Sequence, residues 1–194
     1  MSNDVSMSEM RGPLGELCDQ CSGTNGRARF EEFKLWLKKA VALLTHLSDT
    51  SLGSVKKFVA AENFTKRNTK VKFWDFGSNF EAHFLGKTER NVSAAVIAVH
   101  RLERASLDPE IMTELGEKRI STLAHFYQLI EAQGQGQAGT LLVNGYANIA
   151  YIEDDNGVLW AVNADWSSGR GWGVGAGSIG SPSGWGAGFR VVSR

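Results

Sequence analysis

Three ionisable side chains with the potential for acid–base chemistry lie close together at 70–85, in the stretch KVKFWDFGSNFEAHFL. Glu81 and His83 are two residues apart, so they share a face if this stretch is extended, and Asp75 lies on the segment before them. A histidine beside carboxylates can move protons near neutral pH. Asp75, Glu81 and His83 are therefore the candidate catalytic residues of a small, metal-independent hydrolase. Cross-strand polar pairing on a solvent-exposed face is the simpler explanation.

The two cysteines of the chain, Cys18 and Cys21, have the C-x-x-C spacing of half a zinc site or of a redox dithiol. A second cysteine pair is absent from the sequence, and the nearest histidine is His46. We therefore expect two reduced thiols, and we keep Cys18 and Cys21 as the candidate metal ligands.

A glycine-rich hexapeptide, GAGSIG at 175–180, matches the dinucleotide-binding fingerprint in its letters. That fingerprint requires a helix directly afterwards, and Ser181 and Pro182 follow instead. No cofactor is expected.

The same glycines belong to a longer stretch, 169–189, in which Trp172, Val174 and Ala176 alternate with glycine. Alternation of this kind predicts a strand with an apolar face and a bare face, rather than a flexible tail. The bare face permits close approach by a bulky neighbouring group. The segment GSPSG at 180–184 predicts the turn that follows.

Four of the six tryptophans lie within the last 35 residues. One interpretation is that they form the core of a sheet. The other is a partner-binding surface made of Trp172, Trp185, Arg170 and Arg190, because tryptophan and arginine are enriched in interface hot spots.

The formal charge is balanced, with 21 Lys and Arg against 21 Asp and Glu, which argues against a globally basic nucleic-acid-binding protein. The distribution is uneven, since 27–72 carries eleven basic and four acidic residues. Weak, non-specific nucleic-acid binding by this segment is therefore one hypothesis, and solvated helix faces are the simpler explanation.

The periodicity of the first two-thirds of the chain predicts helices around a hairpin. Residues 1–26 are polar and aperiodic, which predicts a flexible leader, and apolar steps of three and four residues predict a helix over about 27–47. The alternating stretch 70–85 predicts a β-hairpin. Two helices are predicted next, over about 92–103 and from 108 to 130, the second capped by Asp108 with Pro109 in its first turn.

The last third of the chain predicts antiparallel strands, with a tight turn at Asp155-Asn156-Gly157. Together these patterns predict one α+β domain over 27–194. Its helices and hairpin span 27–133, and a C-terminal antiparallel β-meander spans 139–194. Neither a membrane span nor a secretion signal is recognisable, so we expect a cytoplasmic protein that does not bind membranes.

The C-terminal part of the chain resembles the ends of small proteins of unknown function from candidate-phylum bacteria, in the segments NGYANIAYIEDDNGVLWAVNADW and GWGVGAGSIGSPSGWGAGFRVVSR. The middle segment of those proteins resembles KFWDFGSNFEAHFLGKTE. Those proteins end in a Trp-x-Val-x-Ala strand, a Pro turn, a second Trp and a Val-x-Ser-Arg close. The resemblance covers about 70–194. It implies the fold boundary and a bacterial origin, and no site residue is carried over.

From these observations the sequence predicts a non-enzymatic binding or interaction protein, with a protein partner or self-association as its mode of action. A mobile-element or phage-related origin is part of this hypothesis. The alternatives are the hydrolase that uses Asp75, Glu81 and His83, and the nucleic-acid accessory protein.

Overall fold

A computed structural model describes residues 7–22, 25–40, 42–181 and 184–194. The chain forms two compact units that divide between Ala42 and Leu43, whereas the sequence pattern changes at residue 27. Among the described helices, none combines the length and the hydropathy needed to cross a bilayer.

The described part of the first unit is helical. Helices α1 (Met7–Cys21) and α2 (Gly26–Ala40) contact each other. Part of the segment predicted to be a flexible leader thus forms α1, and residues 1–6, 23 and 24 lie outside the described part. The start of the helix predicted over 27–47 is confirmed. Its end is wrong, because the chain from Leu44 pairs with another strand.

The second unit contains the remaining elements. In chain order they are β1 (Leu44–Leu52), β2 (Val55–Val59), α3 (Ala60–Asn63), β3 (Phe73–Phe76), α4 (Ser78–Phe84), β4 (Thr88–Val92), β5 (Ala95–Leu102), β6 (Ser106–Leu107), α5 (Asp108–Leu115), a 3₁₀ helix (Gly116–Arg119), β7 (Ile120–Ser121), α6 (Leu123–Glu131), β8 (Asn148–Glu153), β9 (Leu159–Ser167), β10 (Gly171–Ser178), β11 (Gly184–Trp185) and β12 (Arg190–Ser193).

These strands build a large mixed sheet with the order β1-β5-β12-β8-β9-β10-β3, to which β7 adds beside β8. The α+β class is confirmed. β8, β9 and β10 are sequential antiparallel neighbours. The predicted C-terminal meander as a whole is not confirmed, because the closing strand β12 lies between β5 and β8, antiparallel to the first and parallel to the second.

Side chains on the two faces of the sheet form two hydrophobic cores. Along β8, Ala150 and Ile152 belong to the larger core with α3, α4 and α6, whereas Ile149 and Tyr151 belong to the smaller core with α5. This alternation follows from the two-residue period of a strand. We call the face under α3, α4 and α6 the first face and the face under α5 the second face.

The predicted hairpin at 70–85 is wrong. Phe73–Phe76 is a strand, but Ser78–Phe84 is helix α4 rather than a second strand. The phenylalanines at 76, 80 and 84 recur every four residues, and Phe80 and Phe84 are fully buried with their ring centroids 5.6 Å apart. The helical spacing of the two buried rings at 80 and 84 outweighed the apparent alternation.

The helix predicted over 92–103 is also wrong, because this segment is strand β5. Its β-branched residues Ile97 and Val99 are buried on the first face, whereas Ala98 and His100, which alternate with them, are only half buried. The helix predicted from Asp108 does begin there, with Pro109 in its first turn. It ends at Leu115 because Gly116 takes a positive φ of 61°, and α6 starts at Leu123.

The glycine-rich stretch that contains Trp172 is strand β10, as predicted. Trp172 and Val174 are buried in the larger core. The bare face at Gly173 receives the indole of Trp74, since a Cβ built on Gly173 would lie 3.1 Å from Trp74 Nε1. In the turn predicted at 180–184, Pro182 and Ser183 lie outside the described residues.

Candidate functional site

A cleft of about 440 Å³ lies on the second face of the sheet, where β1, β5 and β12 meet α5 and the 3₁₀ helix. Its floor and walls combine a few apolar side chains with polar ones from five separate elements. The polar lining residues are His46, Asp49, His100, Glu114, Lys118 and Ser193.

A β-bulge in β1 brings the carboxylate of Asp49 to the cleft. His46 pairs with His100 of β5, and the register then passes over Leu47, which is the extra residue of the bulge. In a regular strand His46 and Asp49 would point to opposite faces, because they are three residues apart. The bulge places both on the face of His100, and Nε2 of His46 lies 2.9 Å from Oδ1 of Asp49.

The two histidines of the cleft form a cross-strand pair. Their ring centroids are 5.6 Å apart and the rings are nearly perpendicular, at 71°. About half of the His46 side chain is exposed, so its ring is accessible from solvent. The pair therefore presents two imidazoles side by side at the edge strand of the sheet.

His100 is held by a serine from the third strand. Its Nε2 atom lies 3.1 Å from Oγ of Ser193, which is buried on β12. Burial, followed by the neighbouring His46, lowers the pKa of His100 below its ordinary value. The imidazole of His100 is therefore neutral at pH 7 and can act as a ligand or a base.

Glu114 lines the wall of the cleft and has a structural role. Its two carboxylate oxygens accept hydrogen bonds from the backbone N–H groups of Leu43 and Leu44, both at 2.9 Å. These bonds fasten α5 to the first residues of β1. Lys118 is exposed on the 3₁₀ helix, and its charge contributes to the lowered pKa of His100.

The structure does not bring Asp75, Glu81 and His83 together. Glu81 and His83 lie on α4, where two residues turn the helix by about 200°, so the prediction that they share a face is wrong. Asp75 is exposed on β3. Burial of Asp165, followed by the charge of Asp75, raises the pKa of Asp165. Within the described residues, no hydrogen bond or ion pair joins any two of the three candidates.

His83 has a different carboxylate partner, one that the sequence analysis missed. Its Nδ1 atom lies 3.3 Å from Oδ2 of the buried Asp154, and its ring packs on Trp160 with 4.2 Å between centroids. Burial opposes ionisation of Asp154. Hydrogen bonds from the backbone N–H groups of Val158 and Asn156, from Trp160 and from His83 nevertheless lower the pKa of Asp154.

Neither tryptophan of the predicted partner surface presents its ring to solvent. Trp172 is fully buried and donates from Nε1 to the carbonyl oxygen of Gln133 at 3.0 Å. Trp185 is 9 % exposed and donates from Nε1 to Oδ1 of Asp108 at 2.6 Å. The interpretation of these two residues as sheet core is therefore correct, and their interpretation as an exposed hot spot is wrong.

The two arginines of that surface interact with the chain itself. The guanidinium of Arg170 lies 5.1 Å from the ring centroid of Trp74. Arg190 donates from a terminal guanidinium nitrogen to the carbonyl oxygens of Thr140 and Gly139, and burial lowers its pKa. Arg170 remains exposed, whereas Arg190 is half buried.

Cys18 and Cys21 are free thiols near the end of α1, the first exposed and the second half buried. In the described part of the chain, no group of three or more His, Cys, Asp and Glu side chains is arranged to hold a metal ion. The role of the two cysteines as metal ligands stays a prediction.

The cleft could not be recognised from sequence periodicity, which predicts helices for the segments that contain His46 and His100. The available signal for a strand around His100 was the two-residue period at 97–100, where buried and half-buried residues alternate. The bulge at Leu47 had no recognisable signal. No family model matches the chain, and neither a curated protein nor a solved structure is significantly similar to it.

Proposed function

We propose that the protein is a non-enzymatic binding protein that holds a small neutral or cationic ligand in the cleft above β1, β5 and β12. The observation that carries this proposal is the convergence of His46, Asp49, His100 and Ser193 on one face of three neighbouring strands. Their meeting depends on a bulge in β1, and bulges are common beside functional sites.

The size and the lining of the cleft support a small ligand. Its volume of about 440 Å³ lies within the range of about 300–1,000 Å³ typical of small-molecule sites. Leu44, Ala98 and Leu115 supply apolar surface beside the polar groups. Apolar surface with a few convergent polar groups is the usual composition of a binding site.

The charges of the lining decide the class of ligand. Asp49 and Glu114 carry two negative charges, Lys118 carries one positive charge, and His100 is neutral at pH 7. Two carboxylates against one ammonium leave one formal negative charge when His46 is also neutral. A neutral or cationic ligand, such as a small amine or polyol, suits this balance better than an anion.

The proposal is tested by mapping ligand binding onto the backbone amides by NMR. A panel of small amines and neutral polyols is titrated into the ¹⁵N-labelled protein, and we expect the shift changes to cluster on β1, β5, β12 and α5. Ala98→Leu fills the floor of the cleft and should abolish them. Ala82→Leu, on the exposed face of α4, is the matched control and should leave them unchanged.

Shift changes that survive Ala98→Leu, or that cluster away from these four elements, would contradict the proposal. A melting curve of Ala98→Leu verifies that the variant is folded, so that loss of binding is not caused by unfolding.

Weak nucleic-acid binding is the second candidate function. The side chains of Lys56, Lys57, Lys66, Arg67 and Lys70 are all exposed in the second unit. Lys70 pairs with Glu131 at 3.0 Å, so part of this charge is already compensated. Exposed lysines favour contact with a phosphate backbone rather than reading of bases.

A further inference from the structure

Both histidines of the cleft use the same ring nitrogen for a hydrogen bond to an oxygen. His46 Nε2 lies 2.9 Å from Asp49 Oδ1, and His100 Nε2 lies 3.1 Å from Ser193 Oγ. Within the described residues, neither Nδ1 atom has a hydrogen-bond partner. The two side chains therefore share one bonding pattern, although they lie on different strands.

This pattern fixes which nitrogen keeps a lone pair. An ionised carboxylate only accepts, so Nε2 of His46 carries the proton that it shares with Asp49, and Nδ1 of the neutral ring keeps the lone pair. His100 reaches the same tautomer when its Nε2–H donates to Ser193. Histidines that bind metals almost always donate their other N–H to a carboxylate or a neighbouring oxygen.

We infer that His46 and His100 bind one divalent transition-metal ion of the Zn²⁺, Ni²⁺ or Cu²⁺ class through their Nδ1 atoms. Imidazole is a preferred ligand of these ions, whereas Mg²⁺ prefers oxygen ligands. The cross-strand pairing of the two residues and the 5.6 Å between their ring centroids put the two imidazoles close enough to share one ion. The inference rests on the proposed function, because it names the cationic ligand of the same cleft.

Two features of the cleft support a cation at this position. The lining carries more negative than positive charge, since Asp49 and Glu114 line it together with a single Lys118. The exposure of the His46 side chain gives the ion a path from solvent.

Two protein nitrogens leave further coordination positions for water or for a small ligand. This arrangement agrees with the finding that the described residues contain no preformed group of three metal-binding side chains. A site with open positions is typical of metal ions that contact a second ligand rather than of purely structural metals.

The test is a calorimetric titration of the full chain with Zn²⁺, and with Mg²⁺ as the control ion. It is carried out in a Cys18→Ser/Cys21→Ser background, because thiolates compete for zinc. We expect one saturable site for Zn²⁺ and none for Mg²⁺. Asp49→Asn should weaken Zn²⁺ binding by about 10- to 100-fold, as expected for a group that orients a ligand.

His46→Gln should weaken Zn²⁺ binding at least as much as Asp49→Asn, and His100→Gln should do the same. His83→Gln is the matched control, because His83 lies on α4 and bonds to Asp154 instead. Long-range ¹H–¹⁵N NMR of the unsubstituted rings should show Zn²⁺ on Nδ1 of both histidines. This second measurement decides the question if His100→Gln does not fold.

Zinc binding that is absent, that is unaffected by His46→Gln, or that involves Nε2 would overturn the inference. If Zn²⁺ fails to bind while amines still shift the amides of the cleft, the metal inference is wrong and the proposed function stands. If Zn²⁺ binds through both Nδ1 atoms, the inference holds whether or not any amine binds.

Discussion

The indole Nε1 of Trp185 donates a 2.6 Å hydrogen bond to Oδ1 of Asp108, which lies 77 residues earlier in the chain. The same carboxylate oxygen accepts the hydroxyl of Tyr151 at 2.9 Å. Asp108 is 1 % exposed, and burial, followed by this neighbouring carboxylate, raises the pKa of Tyr151 far above its ordinary value. One buried carboxylate thus joins the first turn of α5 to β8 and to β11.

Trp185→Ala should therefore destabilise the fold rather than remove a partner surface. Loss of a buried tryptophan costs about 3–5 kcal/mol. The change also removes a hydrogen bond to Asp108, whose Oδ2 already has no partner. Thermal or denaturant unfolding measures the effect, and Trp185→Phe, which keeps an aromatic ring, should be less destabilising. A normal melting curve combined with lost self-association would restore the predicted interface.

Gly173→Val should destabilise the protein by overpacking. A Cβ at this position would lie 3.1 Å from Trp74 Nε1, which would have to move, and 3.4 Å from Asp165 Oδ1, at ordinary contact distance. Overpacking of this kind typically costs about 1–3 kcal/mol. Gly184→Val in β11 is the control, since a Cβ there meets nothing within 4 Å. Equal free energies of unfolding for the two variants would refute the tight contact between Gly173 and Trp74.

The fold could be read from the sequence where one period dominated. The alternation of Trp172 and Val174 with glycine predicted a strand and excluded a helix. The residue types at 155–157 predicted a tight turn, and Gly157 takes a φ of 75° there. The period was ambiguous at 78–84 and at 95–102. In the first case a four-residue aromatic spacing decided for helix, and in the second β-branched side chains decided for strand.

The candidate site could not be read from the sequence, because it depends on strand order. His46 meets His100 because β1 pairs with β5, and Ser193 joins them because β12 lies beside β5. A strand at the end of the chain gives no local signal of its neighbours. Asp108 shows the same limit. Its position at the start of α5 was predictable, but its carboxylate makes no capping hydrogen bond and accepts instead from two distant side chains.

The stability of the second unit should fall in acid through Asp154. The lowered pKa of this group means that its ionised form stabilises the fold. The contribution is fully present above the unfolded value of about 4 and is lost as the pH falls through the lower folded value. Unfolding free energies measured from pH 7 downwards should therefore decline below about pH 4.

Asp154→Asn should flatten this acid limb, because the substituted side chain no longer titrates. Asp155→Asn is the matched control, as Asp155 is the exposed neighbour of Asp154 and pairs with Lys87. Asp165, whose pKa is raised, acts in the opposite sense and favours the fold as it becomes protonated. An unchanged acid limb in Asp154→Asn would show that another carboxyl group controls the transition.

Any binding of nucleic acid by the basic side chains of the second unit should be weak, independent of sequence and lost steeply as salt rises. Four exposed basic side chains carry the charge, namely Lys56, Lys57, Lys66 and Arg67. Contacts between such side chains and phosphates release counterions, so binding depends on salt rather than on base sequence. Each phosphate contact that is removed should reduce the slope of log K against log salt by about 0.7–0.9. Fluorescence anisotropy of Lys57→Ala and Lys66→Ala on single and double strands measures this slope, with Lys118→Ala, at the cleft, as the control. Binding that discriminates between sequences at moderate salt would show that this surface reads bases.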